Sequence, residues 1–515
     1  MAPPGSRRIL SWTALALLAG AVRWWGLGAH GLGCDELLSL TDATGGSLVT
    51  PIGAGAPTFT VEDFWRANSL GGVRDAVERQ DGGNGVLQAV ALHYWIAPFG
   101  TSDASARAPS VLLGVGLVLL AYAFTSSLWP EDVAVVAALM LSLHPMLVRY
   151  SREARGSALA TLLAFGATCV FVRLGHAGPA APRWRRRAIA YGLLTGAALL
   201  SHYLVVAVFA GHLAFALLRG RERRVWKSLA LGWTLAAVMV ATWMAMGGAE
   251  GLRRIGTRNE MFRRRVEQGT ARHERPSTIR NVGHDLAVVA QQMTGNPVDI
   301  EEPVSLAETL LLLVPGVLAV AALLRKPVAE SAVILLAILA AAGPAQAVVL
   351  ALSAGHTTAL APRYSLFSVP YLLLLMAAGL STIANLGRRW RAAAAAAVVV
   401  LVALWARSLP RVWSDAPLFR PPNAYAEGAK RLAGIVLPGD VIVHPHWQSA
   451  RLCNLYLPRG VVCAQRVKRR DAAAPLRVVR EGRPVFELDM PRACPKNAFG
   501  APVEGGLTGR KRTGP

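Results

Sequence analysis

Long apolar runs recur from one end of this chain to the other, and they leave few folds open to it. Ile9 to Leu27, Ala108 to Leu128, Ser228 to Met246, Leu306 to Leu324, Ala332 to Leu352 and Leu366 to Leu386 are each about as long as a helix needs to cross a bilayer core. Shorter runs lie between them: Val133 to Val148, Ser157 to Val172, Ala188 to Leu200, Tyr203 to Leu218 and Ala392 to Ala406. Together they predict an all-α polytopic membrane protein with about eleven transmembrane helices. Composition agrees: of 515 residues 53% are hydrophobic and 17% charged, with a mean hydropathy of +0.38. A soluble chain of this length would rarely be so apolar.

Charge then sets the orientation. Lys and Arg number 54 against 31 Asp and Glu, a formal charge of +23. Nucleic-acid binding is one reading of such an excess, but basic loops on the cytoplasmic side of a membrane account for it without a polyanion. Arg7 and Arg8 precede the first run and put the N-terminus in the cytoplasm. Ala19-Gly20-Ala21 resembles a signal-peptide cleavage site, yet the apolar stretch continues through Trp24 and Trp25, which favours an uncleaved span. Alternating spans then place the clusters around Arg185, Arg223, Arg325 and Arg388 inside, and everything after Arg407 outside. The expected location is a bacterial inner membrane, with the C-terminus extracytoplasmic.

The same alternation gathers four polar features on the outer face. They are the Asp35-Glu36 pair in GLGCDELLSL, the SREAR stretch from Ser151 to Arg155, the basic segment from Gly247 to Pro303, and His356 to Tyr364. The basic segment carries Arg253, Arg254, Arg258, Arg263, Arg264 and Arg265; an anionic lipid or a phosphate-bearing substrate would each suit it. An Asp-Glu pair is ordinarily a solvated loop face, and what singles this one out is its place at the mouth of a membrane bundle. Residues 28–106 read as the first outer loop, with Val86 to Phe99 as an interfacial helix. Three regions follow: a transmembrane domain over 1–408, a small outer α/β domain over 409–490 and a disordered tail over 491–515. Within the second, Asn423 to Val436 and Trp447 to Tyr456 have helical patterns, and Asp440 to Val443 and Val461 to Cys463 read as strands. The five cysteines show no metal spacing; Cys169 lies in an apolar run, and Cys453 and Cys463 are a conceivable pair.

Several short motifs follow one another in a telling order. Arg23 near the end of the first span precedes Asp35-Glu36. LHYW-x4-G begins at Leu92 and RAPS at Arg107. HPMLVRYSREAR spans His144 to Arg155, SHY spans Ser201 to Tyr203, and PRY-x4-VP spans Pro362 to Pro370. This series resembles the GT-C membrane glycosyltransferases, in the bacterial branch similar to protein mannosyltransferases and the aminoarabinose transferase of lipid A. The resemblance covers roughly residues 5 to 465 and rests on the order of motifs that are individually weak.

The resemblance implies an enzyme that transfers a sugar, hexose or pentose, from a polyprenyl-phosphate carrier to an acceptor at the outer membrane surface. Asp35 would be the general base, and Glu36 would orient the site or help hold a cation. Glu153 would be the partner carboxylate, with Arg155 as its ion-pair mate. Arg363, beside Tyr364, would neutralise the departing phosphate, with Arg155 also on the donor-phosphate side. His202, His356 and Asp81 are further candidates to line the site. A divalent cation is the one cofactor left open, and its ligands are unknown. The partners implied are the lipid-linked sugar, membrane lipid, and an acceptor that is lipid, glycan or protein; nucleic acid is not among them. The chain departs from the pattern at Asp81 to Gly85 (DGGNG), at Gly156 after EAR, and in its short outer C-terminal part. The rival readings are a transporter or flippase of lipid-linked intermediates and an inactive scaffold of the same fold. No internal repeat or mid-membrane polar break of the kind transporters use is evident.

Overall fold

A computed structural model of the chain describes residues 4–45, 59–60, 69–80, 84–175, 184–219, 223–270, 275–296, 331–414, 432–444, 457, 461–465, 476–481, 483–488 and 509–510. The first helices are α1 (Pro4–Trp24), α2 (Cys34–Thr44), α3 (Leu70–Gln80) and α4 (Val86–Phe99). Then come α5 (Asp103–Ser126), α6 (Glu131–Leu143), α7 (Pro145–Tyr150), α8 (Ser157–Gly175), α9 (Trp184–Ser201) and α10 (Val206–Arg219). The last are α11 (Arg223–Trp243), α12 (Ala249–Glu267), α13 (Ile279–Met293), α14 (Ser331–Ala354), α15 (Val369–Ala384) and α16 (Arg388–Trp413). Among the described residues, six helical stretches are long and apolar enough to cross a membrane: Asp103–Ser126, Ser157–Leu174, Val225–Glu267, Ser331–Ala354, Pro362–Ala384 and Arg388–Trp413. The protein is therefore mostly helical and multi-pass. Of the other predicted spans, Ile9 to Leu27 falls on α1, Ala188 to Leu200 on α9 and Tyr203 to Leu218 on a short turn plus α10. Leu306 to Leu324 lies outside the described residues.

The chain forms two compact units. One takes in Met1–Trp25, Arg107–Met246 and Arg254–Trp413; the other takes in Gly26–Ala106, Gly247–Arg253 and Ser414–Pro515. The sequence suggests a boundary near 408 with the first outer loop on the membrane side. By contacts, that loop groups with the C-terminal region instead.

In the first unit the predicted Val133 to Val148 span is two helices, α6 and α7, broken at His144-Pro145. Pro145 has no N–H to give back to Leu141, so the carbonyls at the end of α6 lose their helical partners. Arg23, fully buried at the end of α1, supplies them: its guanidinium donates to Leu141 O at 3.1 Å, to Ser142 O at 3.0 Å and to Ala19 O at 3.2 Å. Gly114 leaves the room for this, since a Cβ there would lie 2.8 Å from Arg23 Nε and 2.5 Å from Ser151 Cβ. Elsewhere α9 and α11 approach backbone to backbone, and a Cβ on Gly192 would meet Gly232 O at 2.5 Å.

The second unit combines α2, α3 and α4 with a six-stranded mixed sheet. Its strands are β1 (Phe59–Thr60), β2 (Val441–His444), β3 (Val462–Gln465), β4 (Leu476–Arg480), β5 (Arg483–Leu488) and β6 (Gly509–Arg510), in spatial order β1-β3-β2-β4-β5-β6. Only β2 and β3 run parallel. The predicted strands over Asp440 to Val443 and Val461 to Cys463 correspond to β2 and β3. Both predicted tail helices lie largely or wholly outside the described residues, as does Cys453. The sequence offered no strand beyond Pro491, yet Gly509–Arg510 pairs with β5. A clip closes the sheet: Arg480 donates to both oxygens of Asp440 at 2.8 Å, and Leu437 N–H donates to Asp440 Oδ2 at 2.9 Å.

Candidate functional site

Glu153 sits in the turn that follows α7, at the start of the segment leading into α8. This turn is fixed by its neighbours in sequence. Arg152 reaches back to the end of α1, donating to Arg23 O at 3.0 Å and to Trp25 O. Glu153 pairs with Arg149 one helical turn earlier, at 3.8 Å, with side-chain exposures of 16% and 20%. The i,i+4 spacing from Arg149 to Glu153 is the sequence signal for this pair, which stands beside the Arg155 that the sequence suggested as a mate.

Arg155, His202 and Arg363 form one electrostatic group within the first unit. His202 caps the short 3₁₀ turn Tyr203–Val205, and its Nδ1 accepts the Leu204 N–H at 3.3 Å. The residue keeps some exposed surface, yet its ring is enclosed deeply enough to lose most of its hydration, edge-on to Phe367 at 5.2 Å. That burial, together with the positive charges of Arg155 and Arg363, pushes its pKa down to about 3. The ring is therefore neutral at physiological pH, and because Nδ1 accepts, its proton resides on Nε2. Arg363 stands at the start of a 3₁₀ stretch, Pro362–Ser368, that leads into α15. Its guanidinium lies 5.0 Å over the Tyr364 ring and donates to Tyr364 Oη at 3.2 Å. Arg363 is exposed. Two guanidiniums, a neutral imidazole N–H and a phenol make a donor-rich, positively charged patch of the kind that binds phosphate oxygens.

Asp35 and Glu36 belong to the second unit, in the first turn of α2 rather than in a loop. Glu36 is 1% exposed, and its Oε2 accepts the Gly33 N–H at 2.7 Å. That is the carboxylate half of a capping box, which Gly33, lacking a side chain, cannot complete. Asp35 is half-buried beside it. His356 is buried in the first unit, its Nδ1 2.8 Å from Thr358 Oγ1, and it pairs by backbone with Pro276. Asp81 lies outside the described residues. Among the described residues no three His, Cys, Asp or Glu side chains gather as metal ligands would. Glu36, the carboxylate named for a cation, is already committed to its own helix terminus.

The comparisons with known proteins bear on the fold. Residues 89–245 match the family model described as dolichyl-phosphate-mannose-protein mannosyltransferase. A comparison with curated proteins gave no match. Among solved structures, the chain is similar to ArnT from Cupriavidus metallidurans bound to undecaprenyl phosphate, with 15% identity, a TM-score of 0.54, and coverage of 88% of this chain and 86% of that one. It matches the apo state of the same protein at 14% identity and a TM-score of 0.56, with the same coverage. It is also similar to the Archaeoglobus fulgidus oligosaccharyltransferase tethered with an acceptor peptide, at 11% identity and a TM-score of 0.51, covering 88% of this chain and 59% of that one.

Proposed function

From the premise that the chain has the GT-C fold, we propose that it is a membrane glycosyltransferase using a polyprenyl-phosphate-linked sugar as donor. The observation that carries the reading is the patch of Arg155, His202, Arg363 and Tyr364. A similar fold holding undecaprenyl phosphate lends it support. In the transfer, the acceptor hydroxyl oxygen bonds to the sugar's anomeric carbon as the bond from that carbon to the phosphate oxygen breaks. The electron pair leaves on the polyprenyl phosphate, which gains a negative charge, and the hydroxyl proton goes to a carboxylate. Arg363 meets the new charge with a two-pronged N–H contact that a lysine cannot reproduce. His202 adds a neutral donor through Nε2, which contributes direction without further positive charge. Asp35 takes the proton, and Glu153, held by Arg149, supports the site as its second carboxylate. The transfer as written uses protein groups alone. We place it at the extracytoplasmic face of the bacterial inner membrane, with a lipid, glycan or protein as acceptor.

The test is made on the purified chain in nanodiscs, with a radiolabelled sugar on polyprenyl phosphate and an extract of envelope glycolipids and glycans as acceptors. Label should move from donor to acceptor in the wild type, and Arg363→Ala should weaken donor binding and slow transfer together. Donor moved across a vesicle bilayer with its sugar still attached would replace this reading with the flippase.

A further inference from the structure

Helix α12 carries six arginines and three glutamates; at 100° per residue Arg253, Arg263 and Arg264 lie on the glutamates' side of its axis, while Arg254, Arg258 and Arg265 gather on another. Its carboxylates are engaged by some of the arginines: Glu260 with Arg263 at 2.5 Å and Arg264 at 3.2 Å, Glu250 with Arg253 at 3.5 Å, and Glu267 with Arg263 at 3.7 Å. Arg258 and Arg265 make no ion pair among the described residues. At 100° per residue, Arg254, Arg258, Met261 and Arg265 fall within about a 60° sector, one stripe along the helix. Arg254 and Arg258 are exposed, Arg265 is half-buried, and Met261, an apolar side chain between two of them, is 39% exposed.

Two further observations say what such a stripe meets. The helix follows directly on the membrane-crossing α11, separated only by the Met244–Gly248 turn, so it begins within a few residues of the bilayer surface. Its neighbouring face is already occupied: Phe262 packs edge-on against His356 at 5.8 Å, and the Arg263 stem lies 3.6 Å from where a Gly355 Cβ would stand. That contact fixes the helix's rotation and leaves the stripe on its flank. An exposed methionine flanked by arginines suits a surface that is apolar below and anionic at its rim.

We propose that this stripe seats α12 on the anionic phospholipid of the bilayer, with arginines on headgroup phosphates and Met261 at the depth of the upper acyl chains. The partner is the lipid surface itself. The inference stands apart from the transfer reaction, and its readout is lipid proximity rather than turnover.

The experiment uses the full chain with its native cysteines replaced and a fluorophore on Gln268→Cys, an exposed position just past the helix that leaves the stripe intact. Nanodiscs of phosphatidylcholine with a minority of phosphatidylglycerol carry a spin-label quencher on one lipid or the other. Phosphatidylglycerol should quench beyond its bulk share at low salt, and the excess should disappear at molar salt. Each of Arg258→Gln and Arg265→Gln should reduce the enrichment by up to about fivefold, the factor equivalent to ~1 kcal/mol per basic residue near an anionic surface. Equal quenching by the two lipids in the wild type would overturn the proposal. So would protection of the fluorophore from aqueous iodide by soluble alginate without lipid enrichment, an outcome that assigns the stripe to an acidic glycan.

Discussion

A neutral histidine that feels the charge of two arginines leaves a signature in acid. The folded His202 accepts a proton only near pH 3, while an unfolded histidine does so near 6.5. Its contribution to stability is therefore complete above about pH 6.5 and declines as the pH falls from there toward 3, because the unfolded chain binds a proton that the folded chain refuses. The slope should stay under about 1.4 kcal/mol per pH unit, reduced by the ring's partial exposure. Thermal melts in nanodiscs between pH 7.5 and 4.5 should show the decline, and His202→Gln should flatten it; an unchanged slope would mean the ring titrates normally. Arg23 makes the second residue-scale expectation. Replacing it by methionine keeps much of its length but strands the carbonyls of Leu141 and Ser142, each buried acceptor costing about 1–3 kcal/mol. Arg23→Met should lower the melting temperature clearly, and Arg23→Lys should recover part of the loss. A wild-type melt for Arg23→Met would show that the end of α6 needs no outside donor.

Whole elements repeat the lesson that a local pattern depends on a distant partner. The apolar runs gave the helices because burial from water and closure of backbone hydrogen bonds both act locally. The strands β2 and β3 were equally plain from their β-branched content. What stayed hidden needed partners far along the chain: Arg23 across more than a hundred residues from the α6 break, and β1 from the first loop on β3. The G-x-x-E spacing at Gly33 and Glu36 was readable as a helix start, but beside an apolar run it passes for a loop. Gly247 is similar: its φ of 136° turns α11 into α12, and a Cβ there would meet Glu78 Oε2 at 2.6 Å. In the sheet, the Asp440–Arg480 clip holds the Asp440 carboxyl below the usual range, chiefly through the Arg480 hydrogen bonds. Its contribution is present above the unfolded carboxylate pKa of about 3.9 and is lost as the pH drops through the lower folded value. The protection of β2 and β4 amides from hydrogen exchange, relative to the intrinsic rate at each pH, should fall below about pH 4 in the wild type. Arg480→Gln should give the lower protection already at pH 7, and protection equal to the wild type at pH 7 would leave the clip without a structural effect.

At the scale of the whole molecule, the residue proposed as base, Asp35, belongs to one compact unit and the residue proposed as phosphate clamp, Arg363, to the other. Had one unit held the entire reaction, the other's residues would affect it only through folding. Kinetics distinguishes the two cases without reference to how the units are arranged. Asp35→Asn keeps the side chain's size but removes the proton acceptor, so donor binding should persist while turnover falls about 10²- to 10⁴-fold. Arg363→Ala removes charge that acts on both the bound donor and the leaving phosphate, so binding and turnover should fall together. If base and phosphate clamp act on the same breaking bond, the double variant should lose far less than the product of the single losses, since groups that work as a unit are strongly non-additive. All four proteins must melt alike in nanodiscs for the cycle to be read. Multiplicative losses would mean the two residues act on separate steps. Wild-type turnover in Asp35→Asn would remove the first loop from the chemistry and leave the arginine patch as a lipid-phosphate site on a scaffold or transporter.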